Sequence, residues 1–350
     1  MNSYDLQSRL LPAPRKGGFR MDDYWTWDGS VIRGEDGLWH MFASRWPKSC
    51  PMHPGWLFLS EVVRAASDSI EGPYEFQEVV LPRRDPHRYF DGRMTHNPSI
   101  RKCDDMYLLF YIGTTYRLDY PDNPAKQPTR DDLWYHDVWL GKRIGMAWSK
   151  SVFGPWERCD RPIVPSRSGH WDAGTSSNPS PWIMPDGSIY LAYKSSVGEW
   201  RQFNIGIVRA DNWQSPFRRV SESPCFQLPY PESYVEDPFL WHADGMFHMI
   251  MKDLRGDIAG EEGCGIYAWS RDAVSWTFGD PPQAYTRDLV WDDGMKEHVG
   301  QFERPQLLFD GDGRMTHIIA ATAYSKGGLR DVSDAWVTVV PLNHAHGGMP

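Results

Sequence analysis

Four short strings carry most of the chemistry in this chain. They are Trp27-Asp28-Gly29-Ser30, Ser177-Asn178-Pro179-Ser180, Glu236-Asp237-Pro238-Phe239 and Glu303-Arg304-Pro305-Gln306. His96-Asn97-Pro98-Ser99 completes the set. In each, a polar residue stands just before Pro or Gly. Reading that position down the chain gives Asp28, Asn97, Asn178, Asp237 and Arg304, and the position before it gives Trp27, His96, Ser177, Glu236 and Glu303. Carboxylates brought close together raise one another's pKa and so separate acid from base roles. Asp28, Glu236, Asp237 and Glu303 are therefore the candidate catalytic groups. Trp27, His96, Asn97, Asn178 and Arg304 are candidate substrate contacts, and Trp171, beside Asp172 ahead of the third string, offers a stacking face or simple core packing.

Such residues act together only if an architecture gathers them. The strings recur 69, 81, 59 and 67 residues apart, counted from Gly29 through Pro98, Pro179 and Pro238 to Pro305. Each is followed by a turn and an aromatic-rich strand. Asp36-Gly37, Asp104-Asp105, Asp186-Gly187, Asp244-Gly245 and Asp312-Gly313 mark those turns, and Asp-Gly between apolar runs is a strong hairpin signal. Further downstream, Gly145-Met146-Ala147-Trp148-Ser149 before Gly154-Pro155, and its counterparts near 64–74, 206–217 and 266–276, read as a third strand leading to a fourth. Ala335 to Val340 supplies a late strand of the last unit.

One four-stranded sheet alone leaves both faces and its edges exposed; five stacked radially bury their faces on one another. The expectation is all-β: a five-bladed β-propeller of four-stranded antiparallel blades around a central channel, with residues 1–350 as one catalytic domain. The 18 Trp, 16 Tyr and 15 Phe suit such a core, with some left to stack on sugar rings. Segments 114–139, 46–56 and 255–265 read as surface loops, the first closing one end of the channel.

The strings resemble those of five-bladed propeller glycosidases of glycoside hydrolase family 43, a likeness that spans the chain at the level of blade pattern. Trp27-Asp28-Gly29 is similar to the family's first-blade strand, whose Asp is the general base; Glu236-Asp237-Pro238 is similar to the fourth-blade strand that carries the general acid. The family's third carboxylate, an Asp before Pro in the third blade that tunes the acid, is here Asn178, so Asp237 or Glu303 would have to take over. Glu303-Arg304-Pro305 looks more like family 117. The resemblance implies an inverting, exo-acting hydrolase of plant or algal oligosaccharides with Asp28 as base and Glu236 as acid. Asp237 and Glu303 compete for the acid role. Two alternatives stay open: a related phosphorylase, and a propeller that binds carbohydrate without turnover.

The remaining residues have plain readings too. Asp28 could merely cap the turn before Gly29. Arg304 contacts substrate or pairs with Glu303 or Asp237. His96 contacts sugar or is a hydrogen-bonded channel histidine. No ligand spacing demands a metal, no cofactor is required, and a central Ca²⁺ would be an addition. A net charge of −9 argues against nucleic acid as partner. No run reaches membrane-spanning length, and residues 1–20 lack a signal peptide's apolar stretch. Five scattered cysteines fit a cytoplasmic location.

Overall fold

The structure, a computed structural model, describes residues 4–115, 133–198, 201–326 and 328–343. Five antiparallel sheets are arranged around one channel. The first contains β1 (Tyr24–Arg33), β2 (Trp39–Pro47), β3 (Glu61–Ser67) and β4 (Glu75–Leu81). The second contains β5 (Met94–Cys103), β6 (Met106–Thr114), β7 (Arg143–Ser149) and β8 (Glu157–Arg158). The third contains β9 (Thr175–Ile183), β10 (Ile189–Ser196), β11 (Asn204–Ala210) and β12 (Arg218–Arg219). The fourth contains β13 (Val235–Ala243), β14 (Met246–Asp253), β15 (Gly265–Ser270) and β16 (Trp276–Tyr285). A small hairpin, β17 (Asp288–Val290) and β18 (Lys296–His298), leads to the fifth sheet: β19 (Gln301–Phe309), β20 (Met315–Tyr324) and β21 (Asp334–Pro341).

The fifth blade has three strands where four were expected, because its outer edge is taken by the other end of the chain. Phe19 and Val337 exchange backbone hydrogen bonds of 2.9 and 3.0 Å, and Leu11 N–H donates to the Pro341 carbonyl. The N-terminal segment thus covers an edge that would otherwise present unpaired backbone groups. Gly18 is required there: its φ is +69°, and a Cβ would lie 1.9 Å from the Val337 oxygen.

Burial closes the ring. Phe42, Ile100 and Leu109 pack between blades one and two; Phe110, Ile144 and Leu191 between two and three; Ile205, Leu240 and Met249 between three and four. Phe239, Trp241, Leu307 and Ile318 join four to five, and Met41, Val63, Ile319 and Val339 join five back to one. Each such side chain contributes about 1.5–3 kcal/mol by leaving water. The hairpins follow the turn signals in two ways. Asp104-Asp105 and Asp244-Gly245 are two-residue turns, with φ of 53° at both Asp104 and Asp244. The other three Asp-Gly pairs are the third and fourth residues of five-residue loops, with Gly37, Gly187 and Gly313 at positive φ.

Two loops expected from the sequence hold helices. Segment 46–56 ends in α1 (Met52–Leu59), and the described end of 114–139 enters α2 (Leu133–Gly141); residues 116–132 lie outside the described residues. Segment 255–265 is irregular up to the start of β15. α1 and α2 pack together through Leu57, Phe58, Tyr135 and Trp139 over one mouth of the channel.

Candidate active site

The strings identified above are five copies of one backbone device. In each innermost strand the register with its neighbour slips by one residue: between Trp27 and Ser30, His96 and Ser99, Ser177 and Ser180, Glu236 and Phe239, and Glu303 and Gln306. The bulged residue is left-handed every time, with φ of 59° at Asp28, 51° at Asn97, 53° at Asn178, 58° at Asp237 and 57° at Arg304. A bulge re-aims side chains and ends local pairing. Asn and Asp tolerate this conformation because a short polar side chain can bond locally. The Pro that follows four of them suits a point where the ladder is already broken. Blade one carries Gly29 instead, where a Cβ would lie 2.3 Å from Val337 Cγ1.

Nine of the ten candidate site residues line one cavity of about 330 Å³ at the end of the channel under α1 and α2: Trp27, Asp28, His96, Asn97, Asn178, Glu236, Asp237, Glu303 and Arg304. The tenth, Trp171, does not. It belongs to the packing between blades two and three, where its ring stacks on Tyr193 at 6.0 Å. Asp172 beside it accepts from Tyr193 at 3.0 Å and pairs with Arg167 and Arg219. Blade two repeats this arrangement: Phe90 stacks on Tyr111 at 6.3 Å, while Asp91 takes Tyr111, Arg84 and Arg158. Trp171-Asp172 is thus a second repeated device, one that pins a blade and leaves the cavity untouched.

Two groups of charge face each other in the cavity. Asp28 is buried on one side. Its Oδ2 meets His96 Nε2 at 2.9 Å and accepts from Ser44 Oγ at 3.1 Å, and its Oδ1 lies 3.4 Å from Arg304 Nε without hydrogen-bonding geometry. Burial opposes the charge, but His96, Arg304 and Ser44 together hold the carboxyl below the usual range. His96 is itself fixed: its Nδ1 meets Ser60 Oγ at 2.7 Å, its ring stacks on Trp56 at 4.8 Å, and Trp46 meets it edge-on.

Opposite stand Glu236, Asp237 and Glu303, whose oxygens come within 4.8 Å of one another. Lys194 Nζ donates to Glu236 Oε2 at 2.7 Å; Lys252 Nζ pairs with Glu303 Oε2 and lies 3.7 Å from Glu236 Oε1. Asn178 donates to Asp237 Oδ1, and the Arg304 backbone N–H donates to Asp237 Oδ2 at 3.3 Å. The environments differ. Burial opposes ionisation of Glu236, yet Lys194 and Lys252 hold its carboxyl well below the usual range. Burial and the neighbouring Glu236 raise Asp237. Burial raises Glu303 to about 7, helped by Asp237 and Glu236 against the pull of Lys252. Three clustered carboxylates could share a cation, but here two buried ammonium groups already supply positive charge.

The sequence reading missed Lys194 and Lys252. Both sit on second strands, opposite Ser177 and Glu236. The signal was there: each is a lone cation ending an apolar run, Ile189–Tyr193 and Met246–Met251. It also missed the aromatic wall, since Trp46 near the end of β2, Trp56 in α1, and Tyr135 and Trp139 in α2 all reach the cavity. Lys142 Nζ stands 4.0 Å above the Trp139 ring.

No family profile matches the chain, and no curated protein matches it in sequence. Solved structures do share the fold. A family 117 glycoside hydrolase of the marine bacterium Zobellia galactanivorans superposes with a TM-score of 0.60 at 15% identity, over 96% of this chain and 88% of that one. The endo-arabinase of Bacteroides thetaiotaomicron gives 0.59 at 12%, over 97% and 99%. The α-L-arabinofuranosidase of Lactobacillus brevis gives 0.58 at 10%, over 99% and 96%. These similarities establish the five-bladed propeller.

Proposed function

We propose that residues 1–350 form one catalytic unit, an inverting glycoside hydrolase that removes terminal sugars from oligosaccharides. The observation that carries this is the division of charge in the cavity. Asp28, paired with His96 and approached by Arg304, is held in a setting that favours its charged form and has one oxygen without a hydrogen-bond partner, whereas three crowded carboxylates favour keeping a proton among them. That is the pair of states that acid–base cleavage of a glycosidic bond requires. The glycoside hydrolases with the same fold make the substrate class plausible in their own right.

Asp28 is the general base. Its unpartnered Oδ1 accepts a proton from water as that water attacks the anomeric carbon. Arg304 stands between base and cluster, with Nη1 3.9 Å from Asp237 Oδ1, and keeps the two sides apart. An inverting pair needs about 6.5–9.5 Å for the intervening water. The acid was expected at Glu236, but an acid must carry a proton at working pH, and Lys194 and Lys252 hold Glu236 as an anion. Glu303 is the better donor, and we assign it the delivery of a proton to the leaving oxygen. The terminal-sugar preference rests on α1 and α2 walling one side and on a volume at the small end of the range for ligand sites, about 300–1,000 Å³.

Phosphorolysis would set a phosphate beside the carboxylate cluster, where Lys194 and Lys252 are already engaged by Glu236 and Glu303. The test is a panel of plant and algal oligosaccharides and aryl glycosides, with and without inorganic phosphate, followed by NMR of the first-formed anomer. Phosphate-independent release with inverted configuration is expected. Retained configuration, phosphate-dependent release of a sugar phosphate, or binding without turnover would each overturn the proposal.

A further inference from the structure

Asn178 brings an amide and no charge to Asp237, so the proton affinity of the cluster is set by its charged neighbours. Lys252 is placed to do so. It lies directly opposite Glu236 in the β13–β14 register, is itself buried, and its ammonium bridges Glu236 and Glu303. Removing it would leave Glu303 without its ammonium partner and Glu236 with Lys194 and the more distant Lys142. The groups facing Glu303 are Glu236 and Asp237 from β13, Lys252 from β14, Tyr285 from β16 and Arg304 from its own strand. Lys194 from β10 and Lys142 act on it through Glu236.

We propose that Lys252 is the positioning residue of the carboxylate cluster, a cation that holds Glu303 and Glu236 in register and confines the shared proton to the Glu303 side. The inference rests on the hydrolase reading for its purpose, but its physical content does not depend on turnover. Alone among the three carboxylates, Glu236 has two lysines within ion-pair distance, which favours its charged form; Asp237 feels the same two lysines at longer range. Glu303 has one, and it faces two acidic neighbours. Burial, Asp237 and Glu236 all favour the protonated form of Glu303. Lys252 draws its titration down to where a proton can be both held and given up. An opposite charge at this distance moves a carboxyl by about 1–3 units.

The experiment is an infrared pH titration of the folded protein, following the carbonyl band of protonated carboxyl groups. A band with a midpoint near 7 should be present in the wild type and absent in Glu303→Gln. In Lys252→Met that midpoint should rise by about 1–3 units, and a second carboxyl, Glu236, should become protonated closer to neutral. Lys252→Arg should restore a midpoint near that of the wild type. Lys194→Met should move Glu236 far more than Glu303. If Lys252→Met does not fold, Lys252→Gln takes its place. An unmoved Glu303 midpoint in a folded variant, or no carboxyl titrating near neutral in the wild type, overturns the proposal. On an active substrate the alkaline limb of kcat should shift upward with Lys252→Met while KM changes little; an even loss at all pH would mean a merely structural role. A wild type inactive on every glycoside would sink the hydrolase reading, and the infrared titration would still decide the place of Lys252.

Discussion

Replacing Glu303 by Gln exchanges the carboxyl for an amide of nearly the same volume that can neither give up a proton at working pH nor pair as an anion with Lys252. Burial beside Asp237 and Glu236 raises this carboxyl from 4.5 to about 7. At pH 6 a group titrating at 7 is about 90% protonated, whereas one titrating at 4.5 is about 3% protonated, so the environment enriches the competent form about thirtyfold. The sign is unambiguous: activity that needs protonated Glu303 is full below pH 7 and falls as pH rises through it. Losing a general acid costs about 10²–10⁴-fold, or about 3–5 kcal/mol of barrier. That loss should appear in full on natural oligosaccharides and shrink on aryl glycosides whose leaving groups depart without a proton. The assay is kcat/KM against pH for wild type, Glu303→Gln and Glu236→Gln on both substrate classes. Glu303→Gln should lose the alkaline limb. Glu236→Gln should keep it, while losing rate because Lys194 and Lys252 are left to reorganise. The opposite pattern would refute the assignment and return the acid role to Glu236.

Asp28→Asn should fold normally, since the amide fits the same space, and lose about 10²–10⁴ in kcat on every substrate whatever its leaving group; wild-type rates would remove Asp28 from catalysis. In the wild type the acidic limb of kcat/KM should lie below the usual carboxylate range, because His96 and Arg304 keep Asp28 ionised as pH falls; a limb at pH 5 or above would contradict this. Trp171→Ala should lower thermal stability by roughly 2–4 kcal/mol as a partly filled gap opens between blades, with KM unchanged; a KM effect at unchanged stability would put Trp171 back in substrate binding. Gly29→Ala should destabilise by about 1–3 kcal/mol, because its Cβ would press on Val337; an equally stable variant would show that blade one can shift away from blade five.

The five blades were legible because one backbone event recurs and needs particular residues. A left-handed bulge selects Asn or Asp, and Pro fits the broken ladder after it, so Asn97-Pro98, Asn178-Pro179 and Asp237-Pro238 announce themselves. Convergence of Asp28, Glu236, Asp237 and Glu303 followed from radial repetition alone. What lay off the repeat was not legible. α1 and α2 bring Trp56, Tyr135 and Trp139 to the cavity from insertions without periodic pattern. The fourth strand position of blade five is filled by residues near Phe19, some 300 positions away in sequence, which no local signal could show. Trp171 stayed undecided between a stacking face and core packing because a Trp ahead of a channel strand looks the same whether it faces sugar or Tyr193. Lys194 and Lys252 were overlooked because a strand-end lysine usually reaches solvent, and only the three-dimensional arrangement shows these two turned inward.

Arg304 ties these threads together. It is the member of the left-handed set for which the conformation has no local compensation. Asp28, Asn97, Asn178 and Asp237 are short and polar, whereas a long side chain at φ 57° bears a cost of about 1–2 kcal/mol. The surrounding structure must over-determine such a residue, and strain of this kind gathers at functional sites. What it achieves is visible in three contacts: the backbone N–H on Asp237, Nη1 near that same carboxylate, and Nε near the unpartnered oxygen of Asp28. One residue therefore faces both halves of the cavity. It stabilises the ionised base on one side and offsets the crowded acids on the other, while Nε and Nη2 retain unpaired donors. A buried guanidinium with donors to spare between two carboxylate groups is poorly used as a structural tie. On the proposed hydrolase reading, it is placed to bind an oxygen of a sugar lying between them.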